Sequence, residues 1–188
     1  PPWDPIAQLH AAFWKHLQRD ALVKSSFSFP GLSWHLNGRA GATDWAATDR
    51  RAYLDLFKGP SCAEARCNSL LTCDLVWWGY EDFRSGSFYA TVPDEVEYFA
   101  ARAIGWDAAP GFQTSAATLA SNGRTLEAFR RMAPWFDLDR SKLPSQFLRN
   151  LTQPDTEFHI ERGSGGQLWV TPGRFHTPTI VNQSANGA

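Results

Sequence analysis

The chain has 188 residues, of which 43% are hydrophobic and 20% charged, and its formal net charge at pH 7 is −1. This is an ordinary globular composition. A charge this close to neutral gives no electrostatic reason to expect a nucleic acid or an anionic membrane as the main partner. No stretch approaches the roughly 18 consecutive apolar residues of a membrane-spanning helix, so the sequence also predicts no transmembrane segment.

Three cysteines, Cys62, Cys67 and Cys73, leave at least one thiol unpaired in a single chain, and a bridge from Cys73 to either of the others stays open. No CxxC pair and no cluster of cysteine with histidine occurs, so the sequence predicts neither a structural metal nor a cofactor. Residues 150–152 (NLT) and 182–184 (NQS) match the N-glycosylation sequon, which favours an extracellular or secretory location. The oligomeric state stays open.

Predicted helices and strands alternate along most of the chain. Residues 4–18 carry apolar side chains at helical spacing, and Asp4 followed by Pro5 is typical of a helix start. Pro93, with acidic residues directly after it, starts another predicted helix that ends at Gly105. The other predicted helices cover residues 48–57, 62–70 and 124–136, and the predicted strands cover residues 22–29, 74–79 and 109–114.

The character of the sequence changes after about residue 136. Residues 142–149 are a candidate short helix, and the stretches that follow alternate apolar and polar residues around a GSGG turn, as antiparallel hairpins do. Two or three strands are only marginally stable alone, so we expect these to pack on the α/β part of the chain. The predicted antiparallel strands cover residues 156–162, 167–172 and 174–182.

The alternation of strands and helices predicts an α/β fold with parallel strands joined by right-handed crossovers. A closed (β/α)8 (TIM) barrel needs about 250 residues, so a complete barrel does not fit. A small three-layer α/β domain and the last three or so βα units of a barrel both remain, and we favour the partial barrel. The nucleotide-binding alternatives lack their glycine-rich signatures. The predicted domains are a partial barrel over residues 1–136 and, over residues 137–188, a linker with the first strands of a β-sandwich.

Candidate functional residues lie at the carboxyl ends of the predicted strands, because ligands of parallel α/β folds bind there. They combine indole faces, amide and hydroxyl groups, one arginine, one histidine and carboxylates. This inventory suits sugars, whose CH faces stack on indole rings and whose hydroxyl groups need polar partners. The candidates are Trp34, His35, Arg39 and Asp44 after the first strand, Trp78, Tyr80 and Glu81 at the second, and Gln113 at the third.

Hydrolysis of a glycosidic bond needs two carboxyl groups, about 5–5.5 Å apart for retention or about 6.5–9.5 Å for inversion of configuration. Asp44 and Glu81 are the candidate catalytic residues. Glu81 and Asp82 do not both face one ligand, because neighbours on an extended chain point to opposite faces. Structural roles stay open for these residues. One of the two indoles, Trp77 or Trp78, would fill the core, and Glu81 and Asp82 would only cap a turn. The candidate substrate-binding residues are Trp34, His35, Arg39, Trp78, Tyr80 and Gln113.

Three segments, SWHLNGRAGATDW, DLVWWGYEDF and DEVEYFAARAIGWDAAPGFQTS, together resemble the later βα units of glycoside-hydrolase-like (β/α)8-barrel carbohydrate-active proteins. In that family a loop with tryptophan, histidine, arginine, glycine and aspartate follows a barrel strand, and a later strand ends in paired tryptophans. The resemblance covers residues 4–135. The matching positions are Trp34, His35, Arg39, Gly41 and Asp44 for the loop and Trp77 and Trp78 for the pair.

The resemblance implies a glycosidase that acts on poly- or oligosaccharides, with a β-sandwich after the barrel. It also implies that an essential acid lies on mid-barrel strands that would precede Pro1, so we expect this chain to be inactive alone. Two alternatives stay open. One is a non-catalytic carbohydrate-binding or scaffolding module of similar shape, and the other is a barrel hydrolase with a substrate that is not a sugar.

Overall fold

The structure, a computed structural model, describes residues 4–17, 24–25, 37–38, 50–59, 62, 73–83 and 90–173. Within these ranges the protein is mixed α/β. The helices are α1 (Asp4–His16), α2 (Arg50–Tyr53), α3 (Pro93–Trp106), α4 (Ala116–Ser121), α5 (Thr125–Phe136) and α6 (Ser145–Leu151), with a π-helical turn at Leu54–Lys58 and a 3-10 turn at Arg140–Lys142. The strands are β1 (Lys24–Ser25), β2 (Asn37–Gly38), β3 (Cys73–Gly79), β4 (Ala108–Gln113), β5 (Phe158–Arg162) and β6 (Leu168–Pro172).

Helix α3 forms where its end signals predict it. Pro93 occupies the first turn, and the Glu95 carboxylate accepts a hydrogen bond from the Val92 N–H at 3.0 Å, which satisfies an amide that the helix leaves open. The helix passes Gly105 and ends after Trp106, where Asp107 adopts a left-handed conformation with φ of 57°. An aspartate tolerates this conformation better than most side chains, so Asp107 ends the helix.

Strands β3 and β4 lie parallel, and α3 connects them in sequence. Their register pairs Cys73 with Ala108 and Gly79 with Gln113, with an irregularity between Leu75 and Trp78. Strands β1 and β2 are also parallel, although β2 lies in a segment for which the sequence predicted no strand. Because β3 and β4 run in the same direction and end in register, the residues that follow them meet at one edge.

The main core fills the space between the β3–β4 pair and helices α3 and α5. The Trp78 indole stacks on the Phe99 ring with centroids 4.8 Å apart and planes 3° apart, and neither side chain is exposed. Phe112 packs edge-on against Trp78 at 5.8 Å. Offset aromatic pairs of this kind add stabilisation beyond the apolar area that they bury. The paired tryptophans of the sequence thus place one indole in the core.

The β5–β6 hairpin packs on a second cluster that shares α3 with the first. Phe158 and Ile160, on the inward face of β5, pack with Trp135 of α5 and Leu151 of α6. The hairpin is antiparallel and turns at Gly166, whose φ of 83° suits glycine. The expectation that this segment packs on the α/β part is confirmed. The predicted strand over residues 174–182 lies outside the described residues.

A buried arginine ties α3 to the π-helical turn and to the segment before the hairpin. The Arg102 side chain has no exposed surface, and its Nε donates to Asp55 Oδ1 at 2.9 Å. Its other nitrogens donate to the Tyr98 hydroxyl and to the backbone carbonyl oxygens of residues 151, 153 and 156. Burial, helped by the neighbouring Asp55 carboxylate, raises the pKa of Tyr98 to about 12.

Helix α4 is not among the helices that the sequence predicted, and its stretch was expected to be part of a loop before residue 124. Ser115 provides the start signal: its Oγ accepts a hydrogen bond from the Thr118 N–H at 3.1 Å. The predicted helix over residues 62–70 lies almost entirely outside the described residues. Among the helices that the structure describes, none combines the length and apolar character needed to cross a membrane.

Candidate functional site

The candidate site lies at the edge where the parallel strands β3 and β4 end. The Tyr80 N–H donates to the Gln113 carbonyl oxygen at 3.1 Å, which continues the pairing one residue beyond β3. The Thr114 hydroxyl then donates to the Tyr80 carbonyl oxygen at 3.0 Å. These two bonds hold the chain segments that leave β3 and β4 side by side. Glu81 and Gln113 are thereby brought to the same edge.

Thr91 holds the Glu81 backbone from one side. The Glu81 N–H donates to Thr91 Oγ1 at 2.9 Å, and the Thr91 N–H donates to the Glu81 carbonyl oxygen at 3.0 Å. Thr91 is fully buried, so it offers a fixed anchor.

Asn122 holds the same backbone from the other side. Its Nδ2 donates to the Glu81 carbonyl oxygen at 2.8 Å and to the Thr91 carbonyl oxygen at 3.0 Å. The Asn122 side chain is buried at the end of α4. Because neither Thr91 nor Asn122 contacts the Glu81 carboxylate through these bonds, the backbone is fixed while the carboxylate is left for other partners.

The Glu81 carboxylate lies in a setting that favours its protonated form. Partial burial raises its pKa above the usual value, and the adjacent Asp82 carboxylate raises it further, while the positive charge of Arg50 acts in the opposite direction. Within the described part of the chain, no hydrogen bond reaches the Glu81 carboxylate. Asp82 differs, because its carboxylate accepts a hydrogen bond from the Ser121 hydroxyl. The two neighbouring carboxyl groups thus have different environments.

Arg50 supplies the positive charge near this edge and is itself fixed. Its Nε and Nη2 donate to the two Glu95 carboxylate oxygens at 3.2 and 2.8 Å, and Nη2 also donates to the Ala90 carbonyl oxygen at 3.1 Å. The guanidinium carbon lies 5.7 Å from the centre of the Trp78 ring. A buried arginine that is paired in this way keeps its charge and orientation, so its effect on Glu81 is a permanent feature of the site.

Gln113 presents an unused hydrogen-bond acceptor. Its Oε1 is buried and has no hydrogen-bond partner among the described residues, and the same holds for Trp78 Nε1 in the neighbouring strand. Buried polar atoms of native proteins are nearly always paired, so each exception needs an explanation. Gln113 Oε1 lies at the carboxyl end of a parallel strand, and a hydroxyl group or a water molecule that reached it would supply the missing hydrogen bond.

The structure brings two of the predicted site residues, Glu81 and Gln113, to one edge. It places Trp78 and Tyr80 in the core, where Trp78 stacks on Phe99 and the Tyr80 hydroxyl donates to Thr125 Oγ1 at 3.0 Å. Both side chains are fully buried, so their contacts in this structure are with the protein. The predicted residues Trp34, His35, Arg39 and Asp44 lie outside the described residues, as does most of the loop that carries them.

Sequence reasoning did not find Arg50, Thr91 or Asn122. Asn122 precedes a glycine, and an Asn-Gly pair is typical of a turn. The pair does not indicate that the Asn122 side chain donates to two backbone carbonyl groups. Thr91 and Arg50 lie in segments without any motif. Their roles depend on contacts between elements that are distant in sequence, and no local pattern reports such contacts.

Among the described residues, no group of three or more histidine, cysteine, aspartate or glutamate side chains is placed to hold a metal ion. A scan of protein-family models, a search of curated proteins and a search of solved structures each find no match to this chain. The site is therefore interpreted from its own geometry: a carboxyl group with raised pKa, an unpaired amide oxygen and a fixed positive charge at one strand edge.

Proposed function

We propose that this chain is part of a glycoside-hydrolase-like (β/α) barrel, with its sugar-contacting face at the carboxyl ends of β3 and β4. The observation that carries the proposal is the raised pKa of the Glu81 carboxyl group, on a backbone fixed by Thr91 and Asn122. A raised pKa keeps a carboxyl group protonated closer to neutral pH, as a proton donor needs.

Glu81 is proposed as the general acid. It gives its proton to the glycosidic oxygen as the bond from that oxygen to the anomeric carbon breaks. Water then supplies a hydroxyl group to the anomeric carbon. Its released proton goes to Glu81 in a retaining reaction; in an inverting reaction it goes to the second carboxylate, and exchange with solvent then returns a proton to Glu81. A second carboxylate is required, and Asp44 or an acid on another strand of the barrel is its proposed source.

Gln113 is proposed to orient the sugar. Its buried Oε1 has no partner among the described residues and would accept a hydrogen bond from a sugar hydroxyl group. An acceptor that is left unpaired in the absence of a ligand rejects analogues that lack the matching hydroxyl, because the oxygen then stays unsatisfied. The residues Trp34, His35 and Arg39 remain proposed sugar contacts on the loop after the first predicted strand.

Two features support the partial-barrel form of the fold. Both strand pairs in the first part of the chain are parallel, and β2 lies close to β3. Helix α3 has 14 residues and connects β3 to its parallel neighbour β4, which is the βαβ unit from which barrels are built.

The extracellular or secretory location is likewise proposed, on the two sequons alone.

A non-catalytic carbohydrate-binding module is the second proposed function. One observation favours it: among the described residues, the carboxyl groups at this edge belong to Glu81 and Asp82, and Asp82 is bonded to Ser121. Adjacent residues do not supply the two separated carboxyl groups that glycoside hydrolysis needs. Binding of a sugar through Gln113 and neighbouring groups needs no such pair.

The test uses the protein with the rest of the proposed barrel present, a set of aryl glycosides and a panel of oligosaccharides. Glu81→Gln keeps the size and shape of the side chain and removes its proton, so turnover is expected to fall by about 10²- to 10⁴-fold while sugar binding persists. Glu161→Gln, on the exposed side of the hairpin, is the matched control and leaves turnover unchanged. Full turnover by Glu81→Gln overturns the assignment of the acid. Binding without turnover in the unaltered protein, with the rest of the proposed barrel present, favours the module.

A further inference from the structure

A polar cleft lies at the opposite end of β4 from the candidate site. It has a volume of about 330 Å³ and lies where the end of α3 meets α6. Strand β4 starts at Ala108, just after α3, and at about 3.3 Å per residue its far end at Gln113 lies roughly 17 Å away. The residues that line the cleft include Gly105, Trp106, Arg140, Ser145, Leu148 and Arg149.

The cleft depends on a close approach of α6 to the end of α3. A Cβ atom added at Gly105 would lie 2.7 Å from Thr152 Cγ2 and 3.0 Å from Leu151 Cβ. Glycine therefore allows the two helices to touch at this point. This contact fixes the position of α6, which carries Arg149 on one side of the cleft, relative to the end of α3 on the other side.

Arg140 is anchored so that part of its guanidinium group stays available. Its Nε donates to the Ile104 carbonyl oxygen at 2.9 Å and lies 3.6 Å from Asp107 Oδ1. Within the described part of the chain, its two terminal nitrogens have no hydrogen-bond acceptor. A guanidinium group held through Nε presents its remaining N–H groups as a fixed pair of donors, the geometry that binds phosphate or carboxylate oxygens.

Arg149 and Ser145 add donors from α6. Arg149 Nη2 donates to Gln146 Oε1 at 2.8 Å, and its Nε and Nη1 have no acceptor among the described residues. Ser145 contributes a hydroxyl group at the cleft. The Thr152 hydroxyl is already used, because it donates to the Arg149 carbonyl oxygen at 2.8 Å.

The charge of the cleft favours an anion. Its lining residues include two arginines and no carboxylate, and Asp107, beside Arg140, offsets one of the two positive charges. The carbonyl groups at the end of α3 work against an anion, so we expect weak binding, with a Kd of about 1 mM for a free ion. The volume is at the small end of ligand pockets.

We propose that this cleft binds the oxyanion group, a phosphate or a carboxylate, of a small molecule. Arg140 and Arg149 bind its oxygens from two sides, and Ser145 donates a further hydrogen bond. The site is independent of the proposed sugar site, because it lies at the other end of β4 and shares no residue with it. Glu81→Gln is therefore expected to leave anion binding unchanged.

The experiment follows the ¹⁵N signals of the arginine Nε groups while inorganic phosphate is added to the full chain at constant ionic strength. Saturable shifts at Arg140 and Arg149 are expected, and Arg149→Gln should weaken binding about tenfold through loss of charge-assisted hydrogen bonds. Arg162→Gln removes another exposed arginine, on β5, and is expected to change nothing. A parallel titration with acetate identifies the preferred group, and tighter binding of either ion at these signals supports the site.

Two results would overturn the proposal. One is the absence of saturable shifts at Arg140 and Arg149 with both ions. The other is an equal loss of affinity in Arg149→Gln and Arg162→Gln, because that would reflect only the overall charge of the protein. Backbone amide spectra of each variant show whether the fold is retained, and Arg149, on the exposed side of α6, is the substitution least able to disturb it.

Discussion

Asn122 and Glu81 are joined by a hydrogen bond of 2.8 Å from the Asn122 side-chain amide to the Glu81 carbonyl oxygen. The same amide group donates to the Thr91 carbonyl oxygen at 3.0 Å, so one side chain connects the two segments that lie beside the strand edge. Asn122 is only 2% exposed, and water does not replace these bonds easily. The position of the proposed acid therefore depends on a residue that has no part in the chemistry.

Replacing Asn122 with alanine tests this dependence. The Thr91 carbonyl oxygen would lose its side-chain donor, and the Glu81 carbonyl oxygen would lose the Asn122 amide but keep the Thr91 N–H. The free energy of unfolding is therefore expected to fall by about 1–3 kcal/mol, measured by urea denaturation. Asn150→Ala is the control, since the Asn150 side chain is exposed and, among the described residues, bonds to the exposed Gln146 side chain; it should change stability by less than about 0.5 kcal/mol. Equal stability of the two variants would show that the Asn122 bonds do not fix this segment.

Replacing Arg102 with methionine tests the buried network between α3 and the hairpin segment. The substitution keeps apolar volume but leaves the buried Asp55 carboxylate without its positively charged partner and removes the Arg102 donor from several carbonyl oxygens, so the free energy of unfolding should fall by about 3–5 kcal/mol. Arg162→Met breaks an exposed pair with Asp137 and should lower it by less than about 1 kcal/mol. Thermal unfolding of both variants under the same conditions gives the comparison, and a small effect at Arg102 would contradict the network.

Gly105→Ala is predicted to destabilise the protein although alanine favours helices. In an open helix the change would stabilise by roughly 0.5–1 kcal/mol, but here the new Cβ would lie 2.7 Å from Thr152 Cγ2. We expect a net loss of about 1–3 kcal/mol from overpacking, measured by urea denaturation. Adding Thr152→Ser removes that methyl group and should recover part of the loss. A stabilised Gly105→Ala variant would disprove the close approach of α3 and α6.

The ionisation of Glu81 gives a pH prediction. Because its pKa is raised in the folded state, the folded chain binds this proton more tightly than the unfolded chain, and this contribution to stability is present at low pH and lost as pH rises through the folded pKa. Glu81→Gln should therefore raise stability at neutral pH relative to the unaltered chain, with a smaller difference at acidic pH. Urea denaturation at both pH values measures the difference.

Asp82 provides the companion experiment. Its negative charge is a cause of the raised Glu81 pKa, so Asp82→Asn should lower that pKa, as followed by the ¹³C chemical shift of the Glu81 carboxyl group. The substitution keeps a side-chain oxygen that can accept the Ser121 hydrogen bond. A Glu81 pKa that stays the same or rises in this variant would mean that Asp82 does not act on it.

Local sequence signals predicted the elements whose formation depends on local chemistry. The start of α3 follows from Pro93 and Glu95, and β3 follows from the apolar run that ends at Gly79. The start of α4 was missed, because a single Ser115 cap decides it without an apolar face. The spacing of apolar residues shows which side of an element is buried. A short helix at the surface has too few buried residues for such a spacing to be recognised.

The candidate site was predicted only in part, for a physical reason. The rule that parallel strands present function at their carboxyl ends directs attention to Glu81 and Gln113, and both lie at that edge. The same rule did not show that Trp78 packs on Phe99 in the core. The alternation of side chains along a strand does not determine which of the two indoles, Trp77 or Trp78, points into the core. Of the two charges that act on the Glu81 pKa, Asp82 is adjacent in sequence, whereas Arg50 comes from a distant segment that no local pattern connects with Glu81.

The most direct test of the proposed sugar site is an NMR titration of the full chain with a panel of oligosaccharides. The Gln113 side-chain amide and the Glu81 carboxyl group are predicted to show saturable shifts, because both lie at the ends of β3 and β4. Gln167 and Glu161, exposed on the hairpin, serve as internal controls and should not move. Shifts confined to the hairpin, or no shift at Gln113 and Glu81 with any member of the panel, would contradict the proposed site.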